Sequence, residues 1–192
     1  MSDQKPALSL NVSYDHRSGA YLGGVITGGP TRYDGMEVLR HVTYAGYAIT
    51  PRRGPSFDVG VSNYHVADYR VRRRTVDYTE VYAGVLTDHF SVRVHYAPDY
   101  YDTGAKTIYA DLGASLRPAE SIRLFAHAGL LTPVGGRPGA RRKRYDFSAG
   151  ISKQFARTQV SATWTNIDPQ VIYANGDRDK RNALVLTASY FF

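Results

Sequence analysis

His95 and His127 are the residues of this chain most able to do chemistry, because each alternates with apolar neighbours and shares its surroundings with carboxylates and hydroxyls at Glu80, Asp111 and Ser115. A hydrolase needs a nucleophile or activated water beside a histidine that a third group orients. The residue types for such a site are present, but the presenting motifs are not. No Gly-x-Ser-x-Gly turn and no His-Glu-x-x-His helix occurs, so neither an activated serine nor a helical metal site is signalled. With no cysteine in the chain, disulfides and cysteine metal sites are excluded as well. The expectation is a protein that catalyses nothing and carries no cofactor or metal, with its titratable residues acting as polar lining.

What positions those residues is a period of two. Eleven strand-like runs of about ten residues, the length a tilted membrane strand needs, are expected at 7–16, 20–28, 36–50, 55–66, 77–88, 90–98, 105–117, 121–132, 145–156, 158–167 and 182–192. No amphipathic helix competes with them. One face reads Leu8, Leu10, Val12, Tyr14, then Val92, Val94, Tyr96, then Ile108, Ala110, Leu112, Ala114, Leu116. The other holds Ser9, Asn11, Ser13, Asp58, Glu80, Arg93, His95, Asp111, Arg123, His127, Asp146 and Ser148. Alternation sustained over many strands is the pattern of a membrane barrel with a lipid face and a polar lumen. The chain has no run of about 18 apolar residues, which excludes a transmembrane helix. A mean hydropathy of −0.37 says nothing against a barrel, since lumen residues mask the lipid face in any window.

The connections point the same way. Tight turns at 15–19, 51–55, 88–89, 118–120 and 157 alternate with longer links at 29–35, 67–76, 99–104, 133–144 and 168–181. Outer-membrane barrels are strung in this order, with short turns in the periplasm and long loops outside. The last strand, Asn182 to Phe192, ends on an aromatic carboxy-terminus with Tyr190 two places upstream. A soluble domain more often ends in a frayed polar tail. This strand is therefore expected to address the chain to the barrel assembly machinery through Phe192.

The same alternation starts the first strand outside and ends the last in the periplasm. Eleven is odd, whereas bacterial barrels are normally even. The expected whole is an antiparallel up-and-down transmembrane barrel of about 12 strands, a single domain over residues 1–192. Its first strand and a signal peptide would lie ahead of Met1, since no charged-then-apolar leader is visible there.

Aromatic residues are placed to suit this topology. There are 16 Tyr and 7 Phe, with one Trp, and such rings gather where bilayer meets water. Phe57, Phe155, Tyr190 and Phe192 fall at the periplasmic ends; Tyr96 and Tyr145 fall at the extracellular ends, and Trp164 faces outward between them. Lys153 is the main exception on the apolar face, and its place near the lower end lets it snorkel.

The formal charge is +7, and three basic clusters carry much of it: Arg70, Arg72, Arg73 and Arg74; Arg137, Arg141, Arg142, Lys143 and Arg144; Arg178, Lys180 and Arg181. Basic chains of this size often bind nucleic acid, but no helix-turn-helix, zinc finger or RNP motif supplies a scaffold, and no nucleic-acid partner is expected. All three clusters fall in or beside long links, on the outer surface. There they would face the phosphates of lipopolysaccharide, or concentrate anions at a pore mouth; a merely solvated loop surface is the plainer alternative.

Several segments resemble the TorF-type porin family of Gram-negative bacteria. These include Asp58-Val59-Gly60 with Tyr64-His65, the run Asp77 to Gly84, Tyr96-Ala97-Pro98-Asp99-Tyr100, Asp111 to Ser115, His127-Ala128-Gly129 and Tyr145 to Ser152. Taken in order they cover almost the whole chain. The resemblance implies a pore-like barrel of the outer membrane, preceded by a secretion signal and another strand; it implies no particular solute.

The expected function is passive diffusion of small hydrophilic solutes through the bacterial outer membrane, with a weak preference for anions from the basic mouth. Asp58, Glu80, Arg93, His95, Asp111, Arg123, His127 and Asp146 are the expected lining, where opposed charges either select solutes or pair and fill the lumen. An outer-membrane lipase or protease of barrel architecture, and a non-conducting structural barrel, are the alternatives.

Overall fold

A computed structural model describes residues 7–30, 35–68, 74–136, 143–167 and 181–191. These form one antiparallel sheet of eleven strands in sequential order. The strands are β1 (Leu8–Asp15), β2 (Ala20–Pro30), β3 (Met36–Ile49), β4 (Ser56–Asp68), β5 (Arg74–Leu86), β6 (Phe90–Ala97), β7 (Ala105–Ala119), β8 (Ile122–Gly136), β9 (Arg144–Phe155), β10 (Thr158–Ile167) and β11 (Arg181–Tyr190). The α-helix is absent among the described residues; a single 3-10 turn, Tyr100–Asp102, interrupts the link after β6. Every described pairing joins strands consecutive in sequence, and β1 and β11 stand at the two edges.

All eleven expected runs are strands, with boundaries that shift by a few residues. The largest shift is in β8, which continues to Gly136, past Pro133. A proline has no N–H to donate and is tolerated in a sheet only at edges and irregularities. Here the pairing of β7 with β8 changes register between Lys106 and Thr107, the residue opposite Pro133, and shifts again between Leu116 and Ala119, beside Pro118. Both prolines therefore sit where the ladder is already broken.

The two faces differ sharply. Leu10, Val12, Leu22, Val59, Val81, Val92, Val94, Leu112, Phe147, Ile151, Leu184 and Leu186 alternate outward on one face, and all are exposed. The other face encloses polar groups. Asp58, Ser62, Glu80, Thr107 and Ser152 are buried there, with Val42, Val76, Tyr78, Ala97, Ala105 and Leu131 as the buried apolar residues. An apolar surface spread over a whole sheet is far larger than soluble monomers expose.

Rings mark both margins of the apolar face. Phe57, Phe155 and Tyr190 are exposed beside the short turns, and Tyr96 and Tyr145 are exposed toward the long links, with Trp164 between. Phe192 lies outside the described residues. Lys153 rests its ammonium 5.0 Å from the Phe155 ring centre, next to the two-residue turn that joins β9 to β10.

Candidate functional site

A belt of titratable side chains crosses the polar face from β2 to β9, and strand pairing dictates its order. Asp58, Gly84, Arg93, Asp111, Gly129 and Asp146 are successive partners across β4 to β9. Tyr21, Gly46, Gly60, Tyr82, His95 and Tyr109 form a parallel row across β2 to β7. Glycines within these rows let long side chains reach past the neighbouring strand.

Gly84 illustrates this. Arg93 crosses β5 over it and donates from Nε at 3.1 Å and Nη2 at 2.7 Å to Asp58 Oδ2, while a Cβ on Gly84 would stand 2.6 Å from Arg93 Cγ. The Asp58 side chain is 5% exposed and that of Arg93 is 39% exposed. Tyr21 lies over Gly46 and Tyr82 over Gly60. Their hydroxyls meet at 2.5 Å, and Tyr21 also donates to Asp58 Oδ1. The Arg93 guanidinium sits 5.5 Å from the Tyr82 ring centre, so Asp58 is held by a cation and a phenol together.

His95 continues the belt, its ring centre 5.4 Å from that of Tyr82 and 5.9 Å from that of Tyr109. Its Nε2 lies 3.2 Å from Asp111 Oδ2 and its Nδ1 3.4 Å from Glu80 Oε2, the latter without hydrogen-bond alignment. On β7 to β9, His127 Nε2 is 2.8 Å from Asp146 Oδ1 and 3.0 Å from the Tyr109 hydroxyl. Tyr109 donates to Asp146 at 3.1 Å across Gly129, which is bare for the same reason as Gly84.

Seven of the eight residues expected to line a lumen therefore touch one another or a shared partner. Arg123 does not join them. It shares their face, four residues before His127, but is exposed and has no carboxylate partner among the described residues. Of the basic mouth cluster, Lys143 is exposed and Arg144 opens β9, with its Nη1 buried and lacking a hydrogen-bond partner. Arg72, Arg73, Arg141 and Arg142 lie outside the described residues, as does the side chain of Arg74.

Sequence reasoning assigned tyrosines to the margins and so missed those on the polar face. Tyr21, Tyr82 and Tyr109 share parity with the charged residues, which was the available signal. A second group was missed entirely. Tyr64 and Tyr78 stack at 4.6 Å with planes 2° apart, and Tyr101 of the 3-10 turn stacks on Tyr78 at 4.6 Å. Tyr100 meets Tyr78 edge-on at 5.2 Å, and the Arg40 guanidinium lies 5.7 Å from the Tyr64 ring centre. Burial pushes the Tyr100 phenol above its ordinary value, with Tyr101 adding to the effect.

Chemically, the described residues of the belt pair charge with charge or with phenol. Among the described residues, no hydroxyl of serine or threonine hydrogen-bonds His95 or His127. The contact of His16 Nδ1 with Ser18 Oγ, at 2.9 Å, is in an exposed turn. The described residues contain no cluster of three or more His, Asp or Glu placed to grip a metal ion. Among the described residues no helix is long and apolar enough to cross a membrane, which says nothing of strands.

A bacterial family described as "Bacterial protein of unknown function (Gcw_chp)" matches residues 1–190. No curated protein matches the sequence. A solved structure entitled "NanC porin structure in rhombohedral crystal form" is similar, with a TM-score of 0.72 at 10% identity, covering 100% of this chain and 96% of that one. At that identity the likeness is one of fold, and the fold is porin-like.

Proposed function

We propose that this chain, which belongs to the bacterial Gcw_chp family, is a porin-like barrel of the outer membrane that passes small hydrophilic solutes passively. The observation that carries this reading is the division of the sheet: exposed aliphatic side chains on one face, and a hydrogen-bonded ionic belt on the other. Lipid is the solvent that stabilises the first face, and a water-filled lumen suits the second. The likeness to a porin fold and the resemblance to TorF-type porins support the same reading.

In a bilayer the edges of β1 and β11 must be satisfied, because unpaired backbone groups are costly in hydrocarbon. We take the barrel to close there. Assembly through the carboxy-terminal strand and contact of the outer basic residues with lipopolysaccharide belong to this proposal. So does the absence of catalysis, supported by histidines that face carboxylates and phenol rather than an attacking hydroxyl.

Selectivity is a balance of two regions. The belt sets Asp58, Glu80, Asp111 and Asp146 against Arg93, His95 and His127, and Arg93 is bound up with Asp58. The mouth contributes Arg40, Arg144 and Lys143, and the lower end Arg123, none with a carboxylate partner among the described residues. Unpaired cations act on the solute stream at longer range than a paired one, which gives the weak preference for anions. Replacing Arg123 and Arg144 together by glutamate should move the reversal potential under a salt gradient toward cation preference. An unmoved reversal potential would remove these two arginines from the selecting set. Liposomes containing the protein should also swell in small sugars and amino acids, and failure to swell would contradict the channel reading.

A further inference from the structure

We infer that the Tyr100–Asp102 turn is a resident constriction of the channel: a loop folded into the lumen at the long-link end and fixed there by a column of rings. The inference rests on the channel reading and adds to it the residues that set the size limit.

The polar face of β5 carries Val76, Tyr78, Glu80 and Tyr82 by alternation. Because Tyr101 and Tyr100 pack on Tyr78, the link after β6 bends over the polar face rather than outward. The burial beneath it agrees. Ala97 is 1% exposed, Ala105 2%, Thr107 3% and Val76 7%, all on that face at the ends of their strands. At an open mouth, small residues in these positions would meet water. Here they are buried, on the same face over which Tyr100 and Tyr101 pack against Tyr78.

The column continues sideways. Tyr101 stacks on Tyr78, Tyr78 on Tyr64, and Arg40 caps the Tyr64 face, so both faces of Tyr78 are occupied and the loop is tied to β3, β4 and β5. The turn itself is built for a tight reversal. Tyr101, Asp102 and Gly104 take φ of 56°, 52° and 72°, a region that non-glycine residues enter at a cost and that surrounding contacts must hold. Asp99 Oδ1 accepts from the Gly104 N–H at 2.7 Å. The Thr103 hydroxyl donates to the Tyr100 carbonyl.

On the far side of the covered patch, Arg144 presents a buried Nη1 with no hydrogen-bond partner. The passage at this level thus runs between tyrosines and two arginines, Arg40 and Arg144, that have no carboxylate partner among the described residues. A solute that fits is small and tolerant of a cationic wall, such as a low-molecular-weight carboxylate or phosphate.

The test compares single-channel steps of the refolded full chain with those of the Tyr100→Ala, Tyr101→Ala double variant, both confirmed as folded by heat-modifiable mobility. Removing two rings from a narrow point should raise the step size about twofold and admit larger polyethylene glycols. Unchanged steps and unchanged exclusion would overturn the constriction while leaving the channel intact. If the parent is silent and the variant conducts, the turn closes the lumen completely: passive diffusion through the native chain is overturned, while the placing of the turn in the lumen stands. If both fold and neither conducts, the channel reading falls and the constriction with it. Should the double variant not fold, Tyr101→Cys supplies a lone thiol in a chain that has no cysteine. Its modification with an anionic methanethiosulfonate should cut the step by about half, and no change in current would overturn the inference.

Discussion

Replacing Arg93 by alanine is expected to lower the unfolding free energy of the folded barrel by about 3 kcal/mol, the low end of what breaking a buried ion pair costs. The reason is Asp58, whose side chain is 5% exposed and receives two hydrogen bonds from this guanidinium. With Arg93 gone, the Tyr21 phenol is the one side-chain partner left to the carboxylate among the described residues. Changing Asp58 to asparagine in the same chain removes the stranded charge and should recover much of the loss. Trp164, the sole tryptophan, sits on the apolar face and reports unfolding in urea by its emission. A loss below about 1 kcal/mol, the range of an exposed pair, would mean that the pair is not a structural bridge across β5. Arg93→Glu, which sets two carboxylates against each other over Gly84, is expected to prevent folding.

The second large effect concerns the opposite face. Leu112 lies at the middle of β7 and points outward, 48% exposed. In a bilayer, Leu112→Arg should destabilise by about 2 to 4 kcal/mol, whereas the same change at Thr87, in a short turn, should cost about 0 to 1 kcal/mol. In water an exposed leucine replaced by arginine changes stability by about 0.5 kcal/mol or less. Refolding into vesicles therefore separates a lipid-facing Leu112 from a water-facing one. Equal effects at positions 112 and 87 would contradict the assignment of this face to lipid.

The strands were legible because period two writes itself into residue types, as in Val92-Arg93-Val94-His95-Tyr96. Their ends were less so. Pro133 reads as a stop, yet the register shift opposite it absorbs the missing donor and β8 continues. The charged members of the belt were also legible, since each interrupts an apolar alternation. Their partners were not, because pairing depends on which residue stands opposite. Nothing in the local sequence says that Gly84 separates Asp58 from Arg93, or that Tyr21 and Tyr82 lie over Gly46 and Gly60 and meet. The ring column is a further step from legibility. It needs Tyr64 and Tyr78 in register and a link that folds inward, and residues 99–104 read only as one of the longer links. Arg123 shows the converse, a residue that shares the belt's face but has no carboxylate partner among the described residues.

Single-channel recording in a planar bilayer, with the folded protein added on one side, tests the central claim most directly. A porin-like channel gives discrete, uniform current steps and, under a salt gradient, a small reversal potential of the sign of anion preference. A heat-modifiable, correctly folded barrel that inserts and yields no steps, with either the native chain or the chain lacking the Tyr100 and Tyr101 rings, would contradict it.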